Sequence, residues 1–519
     1  MKDQLLPQKD ANALVFVQND GDMSSFTEDT LAPTIKPPEK QSNGLSLLPL
    51  ASTFIFGIIY MLDFWPLDPI AHTCLSLLVT VAFLWCTEGI PAYATAYIVP
   101  LLCVWLNIGY DPNTGQRIPA NKLASTLAWR FMDPIIFVFL GSMTMSECLS
   151  KYNITNRVSR FFFKRFSKKP AYILLSLMYL NMLIACFLSN VASTTLVLSF
   201  TMPIIRSLDP DDPYIKALLF GIAWSGNSGG MPTSIASPQN ILALSYIQNN
   251  SPTRISFLQW VYFGVPSSVL LTFCEWVYLV YRFKPQRSQI NIAEGEADYP
   301  GWSIKHTFAC FITILTIALW TLNESFSSVL GSVGITSLIP VVCFFGSGML
   351  TVTDFHSVRW STLALMGGGL ALGESMKLSG LLDMISQIFG SGLSQFALWP
   401  LMLIILFVVG IFASLINSSS AAAILYPVIG VLGKPTGHPN LLVVASALMV
   451  SGGQLFHISS FPNALVSGTC RHVLGNGDHV TQIPFLKGSE YFTYGWPTLF
   501  LSVLMVSTIA YAVAMAEKL

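Results

Sequence analysis

The chain has 519 residues, of which 53% are hydrophobic and only 10% charged, and its 27 basic residues balance its 27 acidic ones. Soluble domains carry about 25% charged residues, so this composition excludes a set of soluble domains and indicates a chain that crosses a membrane many times. With a formal net charge of zero, nothing in it points to nucleic acid or to an acidic partner.

Taken in order, residues 1–45 are mostly polar, with Lys-Pro-Pro-Glu-Lys at 36–40, and read as a disordered cytosolic tail. A helix needs about 20 apolar residues to cross a bilayer. On that measure spans are predicted at 46–64, 71–87, 92–108, 132–150, 214–246 (broken), 256–281, 303–322, 331–350, 360–378, 440–468 (broken) and 491–515, eleven in all. The apolar segments 171–205 and 397–431 do not fit this list. Each is too long for one upright helix and too short for two crossings, which suits a re-entrant hairpin with its tip near mid-membrane. The nine cysteines lie mostly inside apolar runs and form no CxxC pair, so they read as small buried side chains.

With the N-terminus in the cytosol, 20 of the 27 Lys and Arg fall on the inner side, seven of them in the segment 151–169. This is the bias expected of cytosolic loops. The first hairpin then opens to the cytosol and the second to the opposite side. The expected division is a first transmembrane half, 46–302, and a second, 303–519.

The two halves repeat one another. Aligning Glu147 with Glu374 places Gly141 on Gly368, and each Glu is followed 43 residues later by a hairpin Asn, Asn190 or Asn417. Further on, GGMPTSIASPQN (229–240) meets GGQLFHISSFPN (452–463). Because the hairpins open to opposite sides, the repeat is inverted. Inverted repeats with broken helices and a midplane site mark secondary transporters.

The stretch FLSNVASTT (187–195) puts Ser189, Asn190, Ser193, Thr194 and Thr195 inside a run without a charged residue. A broken helix at that depth presents free N–H groups, which suit an anion. Its unwound carbonyls suit a cation. An anion is expected between Asn190 and Asn417, with Ser189 offering a hard oxygen to Na⁺. The competing reading is that these small polar residues only pack helices together. Neither hairpin holds an acid, Lys or His, and the broken loops hold no acid; His457 is the one titratable candidate there. Na⁺ coupling through neutral oxygens is therefore expected over H⁺ coupling, with no fixed cation in the site. Glu147 and Glu374 are read as coupling residues or as structural residues bonded to backbone at a helix bend, and Arg130 and Asp133 as interface anchors. No HExxH or GxSxG motif and no catalytic Asp pair lies in the spans, so an enzyme is not expected.

At these residues the chain resembles the divalent anion:sodium symporter family. Ser189-Asn190-Val191 matches the first hairpin motif except at Val191, and Ile416-Asn417-Ser418 matches the second except at Ile416. The first loop matches through Gly229, Gly230, Thr233, Ser237, Pro238 and Asn240, with Ala236 in place of Gly. Within the family, SNVASTTLVLSFTMPII and GNSGGMPTSIASPQNIL are similar to the fungal low-affinity phosphate transporters, which usually carry an additional N-terminal SPX domain. The resemblance implies an all-α polytopic homodimer in which a transport part carrying both hairpins moves past a scaffold as an elevator. It implies that Ser189, Asn190, Thr233, Asn417, Ser418, Ser460 and Pro462 bind substrate. Coupling Na⁺ would bind at Ser189, Asn190, Gly229, Gly230, Asn417, Gly452 and Gly453. The expected activity is cation-coupled symport of inorganic phosphate at the plasma membrane, with the vacuolar membrane as the alternative. A sulfate or dicarboxylate symporter, or a transporter-like nutrient sensor, is the alternative function. No other cofactor is expected, and membrane lipid surrounds the protein.

Overall fold

The computed structural model describes residues 48–62, 68–111, 116–155, 157, 169–251, 255–284, 301–323, 326–393, 395–469, 471–474 and 481–517. The tail 1–45 and residues 156 and 158–168 of the basic segment lie outside the described residues. The first half begins with α1 (Leu48–Met61), α2 (Pro69–Thr87) and α3 (Ala92–Trp105). A short antiparallel ribbon, β1 (Tyr110–Asp111) with β2 (Gln116–Arg117), leads to α4 (Ala120–Phe131) and α5 (Ile135–Lys151). There follow α6 (Pro170–Ala185), α7 (Asn190–Arg206), α8 (Pro213–Ser228), α9 (Pro238–Asn250) and the long α10 (Phe257–Phe283).

The second half begins with α11 (Ile304–Leu322), α12 (Ser327–Leu330), α13 (Val333–Thr336), α14 (Leu338–Gly346) and α15 (Val352–Ser357). It continues with α16 (Trp360–Leu378), α17 (Leu381–Leu393), α18 (Leu398–Leu415), α19 (Ser418–Leu432), α20 (Pro439–Gly452) and α21 (Phe461–Thr469). A second ribbon, β3 (Arg471–Leu474) with β4 (Thr481–Pro484), precedes α22 (Gly488–Glu517). The two ribbons qualify the all-α expectation. Helices α4 and α17 lie outside the predicted spans, and the span expected at 331–350 is divided between α13 and α14. Among the described residues six helical segments are long and apolar enough to cross a membrane: Pro69–Thr87, Ala120–Lys151, Phe257–Phe283, Ile304–Leu322, Leu398–Leu415 and Gly488–Ala516.

Local chemistry places the boundaries. Helices α2, α6, α8, α9 and α20 all begin on a proline, whose fixed φ suits the first helical position and whose missing N–H costs nothing there. Asp68 and Asp212 cap α2 and α8 by accepting from the N–H of Ile70 and Tyr214, both at 2.9 Å. The run 171–205 turns at residues 186–189 between α6 and α7, which pack on one another. The run 397–431 turns at 416–417, where Ile416 is extended and Asn417 caps α19 by accepting from Ser419 N–H at 3.1 Å. The two broken spans open at 229–237 and 453–460.

The repeat is visible in the packing. A side chain added at Gly141 on α5 would run into the Ser337 carbonyl, and one added at the equivalent Gly368 on α16 would run into Ala96 of α3. Both glycines let a neighbouring backbone approach closely. The loop asparagines also match. Asn240 donates to the carbonyls of Gly230 (2.7 Å) and Thr233 (2.8 Å). Asn463 donates to the carbonyl of Phe456 (3.2 Å), which is the repeat mate of Thr233. Each loop is therefore pinned by the first turn of the helix that follows it.

Candidate functional site

A cavity lies where the two hairpin turns meet the two helix breaks. Four helices start at its wall. Ser189 and Asn190 open α7, Pro238 and Gln239 open α9, Asn417, Ser418 and Ser419 open α19, and Ser460 and Phe461 precede or begin α21. The first N–H groups of a helix have no partner within it, and they carry a partial positive charge. Four such ends converging on one space make a site for an anion. Asn227 and Ser451, at the ends of the helices entering each break, complete the polar wall.

Among the described residues one charged side chain lines this space, and it is a cation. Arg359, the residue before α16, faces the cavity, and its Nη2 donates to Ser189 Oγ. Its guanidinium also lies 5.8 Å from the centre of the Phe461 ring, within cation–π range. Glu147 on α5 is close enough to act electrostatically on Arg359. The expectation of a site without a fixed cation is thus corrected. Arg359 sits 170 residues from Ser189 in sequence, and only the fold brings them together. Among the described residues no carboxylate lines the cavity.

The loops of the two halves are tied across this space. Gln239 donates to Ser451 Oγ at 2.9 Å, and Asn227 donates to Asn463 Oδ1 at 3.0 Å. Ser418 donates to the Ser459 carbonyl at 3.2 Å. Such bonds hold the lining side chains in fixed orientations, which is what a preorganised site needs.

Of the residues expected to bind substrate, Ser189, Asn190, Asn417, Ser418 and Ser460 line the cavity. Thr233 does not; its hydroxyl donates to the Cys186 carbonyl at 2.7 Å and fastens the loop to the hairpin turn. Pro462 lies behind the wall, against Gly226. Gly229, Gly230, Gly452 and Gly453 do not line it either. A Cβ at Gly229 would meet Ala185 and Met182, and one at Gly453 would meet Ala413 and the Gly410 carbonyl. Gly452 packs on Ser502 in the same way, and the Gly230 carbonyl accepts from Asn240. Within FLSNVASTT the last three polar residues face inward. Ser193 and Thr195 bond to carbonyls one turn back (3.0 and 2.9 Å), and Thr194 Oγ1 is 3.4 Å from Asn181 Nδ2.

Arg130 and Asp133 are not interface anchors. Arg130 donates to Glu374 Oε2 at 2.9 Å and to Asp133 Oδ2 at 3.2 Å, and all three side chains are less than a fifth exposed. Glu374 is therefore an ion-pair partner rather than a group bonded to backbone at a bend. An Arg before α5 reaches the Glu of α16, and the Arg before α16 acts on the Glu of α5. Arg130 and Glu374 line a second cavity of about 480 Å³ with Tyr246, Asn249 and Tyr426.

Sequence reasoning passed over Arg359, Thr362, Ser142, Asn227, Gln239, Ser419 and Ser451 as lining residues. The signal for Arg359 was its place just before a span, which mirrors that of Arg130 in the first half. Among the described residues no group of three or more His, Cys, Asp or Glu could hold a metal ion. The eight described cysteines are free.

A polytopic helical bundle with two broken hairpins around a space suited to an anion is the architecture of secondary transporters. The citrate transporter family profile matches residues 81–451, and the chain belongs to this family, which is continuous with the divalent anion:sodium symporters. The chain is 32% identical over 460 residues to an uncharacterized transporter of Schizosaccharomyces pombe (88% of this chain, 51% of that protein). It is 31% identical over 454 residues to the inorganic phosphate transporter PHO87 of Saccharomyces cerevisiae (86% and 47%). It is 24% identical over 428 residues to the sodium-dependent dicarboxylate transporter SdcS of Staphylococcus saprophyticus (76% and 79%). The chain spans about half the length of the first two. In fold it is similar to the YdaH transporter of Alcanivorax borkumensis, with a TM-score of 0.53 at 14% identity over 83% of this chain and 99% of that one. It is similar also to MtrF of Neisseria gonorrhoeae, with a TM-score of 0.52 at 13% identity over 83% and 96%.

Proposed function

We propose that this protein is a cation-coupled symporter of inorganic phosphate, working as a homodimer by an elevator motion of both hairpins. The observation that carries this reading is the cavity wall, which among the described residues has four helix N-termini, one guanidinium and no carboxylate. A small tetrahedral oxyanion can take N–H donors from several directions and a two-pronged contact from Arg359. A four-carbon dicarboxylate needs two separated anchors, and a single Arg supplies one. Hydroxyls and amides dominate the rest of the wall. They suit an oxyanion and, through Ser189, Asn190 and Asn417, a hard monovalent cation such as Na⁺. The similarity to a transporter named for phosphate supports the same choice. Eleven membrane spans, a cytosolic N-terminus and residence in the plasma membrane belong to this reading.

The test is uptake of radiolabelled phosphate by purified protein in liposomes, with an inward Na⁺ gradient or with K⁺ in its place at fixed pH. Uptake that needs Na⁺ and resists competition by succinate and sulfate is expected. Asn190→Ala and Asn417→Ala are each expected to abolish that flux with the dimer intact. Near-normal uptake by either variant would remove the hairpin tips from the site. Absence of phosphate uptake alongside succinate or sulfate uptake would replace the substrate.

A further inference from the structure

The apolar helix α10 carries a single charged side chain between Phe257 and Tyr281, Glu275, and it is fully buried. Its two carboxyl oxygens point to the two helix breaks, one from each half of the repeat. Ser228, the last residue of α8, donates to Oε2 at 3.2 Å. Gln454, in the break after α20, donates to Oε1 at 3.1 Å. Both partners are neutral. Among the described residues no basic group lies within ion-pairing distance of this carboxyl.

The groups that could neutralise it from neighbouring elements are committed elsewhere. On α8, Lys216 pairs with Glu490 of α22, and the Tyr214 hydroxyl donates to the Pro170 carbonyl. On α6, Tyr179 donates to the Val269 carbonyl; on α22, Tyr491 donates to the Asn463 carbonyl and Tyr494 accepts from Arg282. On α11, His306 bonds to Ser303. Helix α20 carries no titratable side chain. Cys274, the chain neighbour on α10, is within electrostatic reach of Glu275. A carboxylate in this position would be an uncompensated charge inside the bundle, which is strongly disfavoured. Gln454 Oε1 is buried without a partner, and turning that amide over would direct it at the carboxylate. Glu275, Gln454 and Ser228 then offer four oxygens from three elements.

We propose that Glu275 is a coupling-cation site, where one monovalent cation, a proton or Na⁺, neutralises the carboxylate and locks the two helix breaks together. The inference rests on the transporter reading and adds to it a site outside the anion cavity. Ser228 and Gln454 stand beside Asn227 and close to Ser451, which line that cavity, so loss of the cation would act on the anion site through one residue of backbone on one side and three on the other. Charge balance is direct, since the cation that enters with the anion cancels the Glu275 charge and leaves when the breaks separate.

The experiment compares wild type with Glu275→Gln, which keeps the shape and carries no charge; its amide oxygen accepts from Gln454 as before, and its NH2 donates to Ser228 Oγ, which turns from donor to acceptor. In liposomes, phosphate uptake is measured with an inward Na⁺ gradient, with an inward pH gradient and with neither. The readout is the ratio of driven to undriven uptake within each protein, whatever its absolute rate. Wild type is expected to respond to at least one gradient, and in Glu275→Gln that response falls to about one. Loss of the pH response assigns a proton, and loss of the Na⁺ response assigns sodium. A variant that keeps every wild-type response overturns the proposal. Two readouts need no transport, and they carry the test if wild type moves no phosphate or the variant moves none. One is the infrared stretch of a protonated carboxylic acid, and the other is binding of radioactive Na⁺ to solubilised protein. A signal in either that is present in wild type and lost in Glu275→Gln, or shifted in Glu275→Asp should the Gln variant fail to fold, supports the site. Absence of both signals from wild type overturns it, while failure of phosphate uptake alone bears only on the substrate.

Discussion

Arg359 is the residue on which the anion reading turns. It is partly buried, it bonds to the tip of the first hairpin, and it faces a cavity otherwise walled by neutral groups. A hydrogen bond to a charged group contributes about 1.5–3 kcal/mol. Removing the guanidinium from a bound oxyanion should therefore weaken binding about 10- to 100-fold. Equilibrium binding of phosphate to Arg359→Gln is expected to show that loss. Arg359→Lys should recover part of it, because an ammonium restores the charge without the two-pronged geometry. Binding by Arg359→Gln within twofold of wild type would take the arginine out of the site. No local sequence feature identifies this role. Arg359 reads as one loop charge among others until the hairpin tip is folded against it. Glu275 was more legible, since an ionisable residue inside an apolar span is a functional candidate by default.

At the scale of elements, length and polarity were enough to place the breaks. The segments 171–205 and 397–431 fold into α6–α7 and α18–α19, and the motifs at 229–240 and 452–463 open the paired breaks. These features depend on apolar length, proline and glycine, all of which act locally. The fates of Thr233, Pro462 and the four loop glycines were not legible, because lining and packing differ only in which side of the loop faces the cavity. The same loops show what the repeated asparagines do. Asn240 and Asn463 bond to carbonyls at equivalent positions, Thr233 and Phe456, each of which also accepts from a donor three residues further on, Ala236 N–H or Ser459. A hydrogen bond of this kind contributes about 0.5–1.5 kcal/mol. Asn240→Ala and Asn463→Ala are each expected to lower the thermal midpoint of the purified protein, by similar amounts. Each variant loses a second bond as well, since Asn240 also donates to the Gly230 carbonyl and Asn463 Oδ1 accepts from Asn227. A midpoint unchanged by either variant would make that loop's pinning dispensable.

Across the whole molecule, the halves are joined by charge as well as by apolar packing. Arg130 of the first half is bonded to Glu374 of the second, 244 residues away, and Asp133 shares the guanidinium. Breaking a buried pair by removing one partner costs about 3–5 kcal/mol, because the other charge is left uncompensated. The pair also sits at the second cavity, between α4 and α16 on one side and α9 and α19 on the other. The pair therefore fastens α4 to α16 along one wall of that cavity. Arg130→Glu and Glu374→Arg are each expected to destabilise the protein strongly, since each places like charges together. The double variant should recover much of the loss, because the transposed guanidinium, now on α16, again faces a carboxylate on α4 and lies near that of Asp133. The check is a double-mutant cycle on thermal stability in detergent. A double variant no more stable than the sum of the singles predicts would mean that the two halves are held by helix packing alone, and that Arg130 and Glu374 keep their places for some reason other than each other.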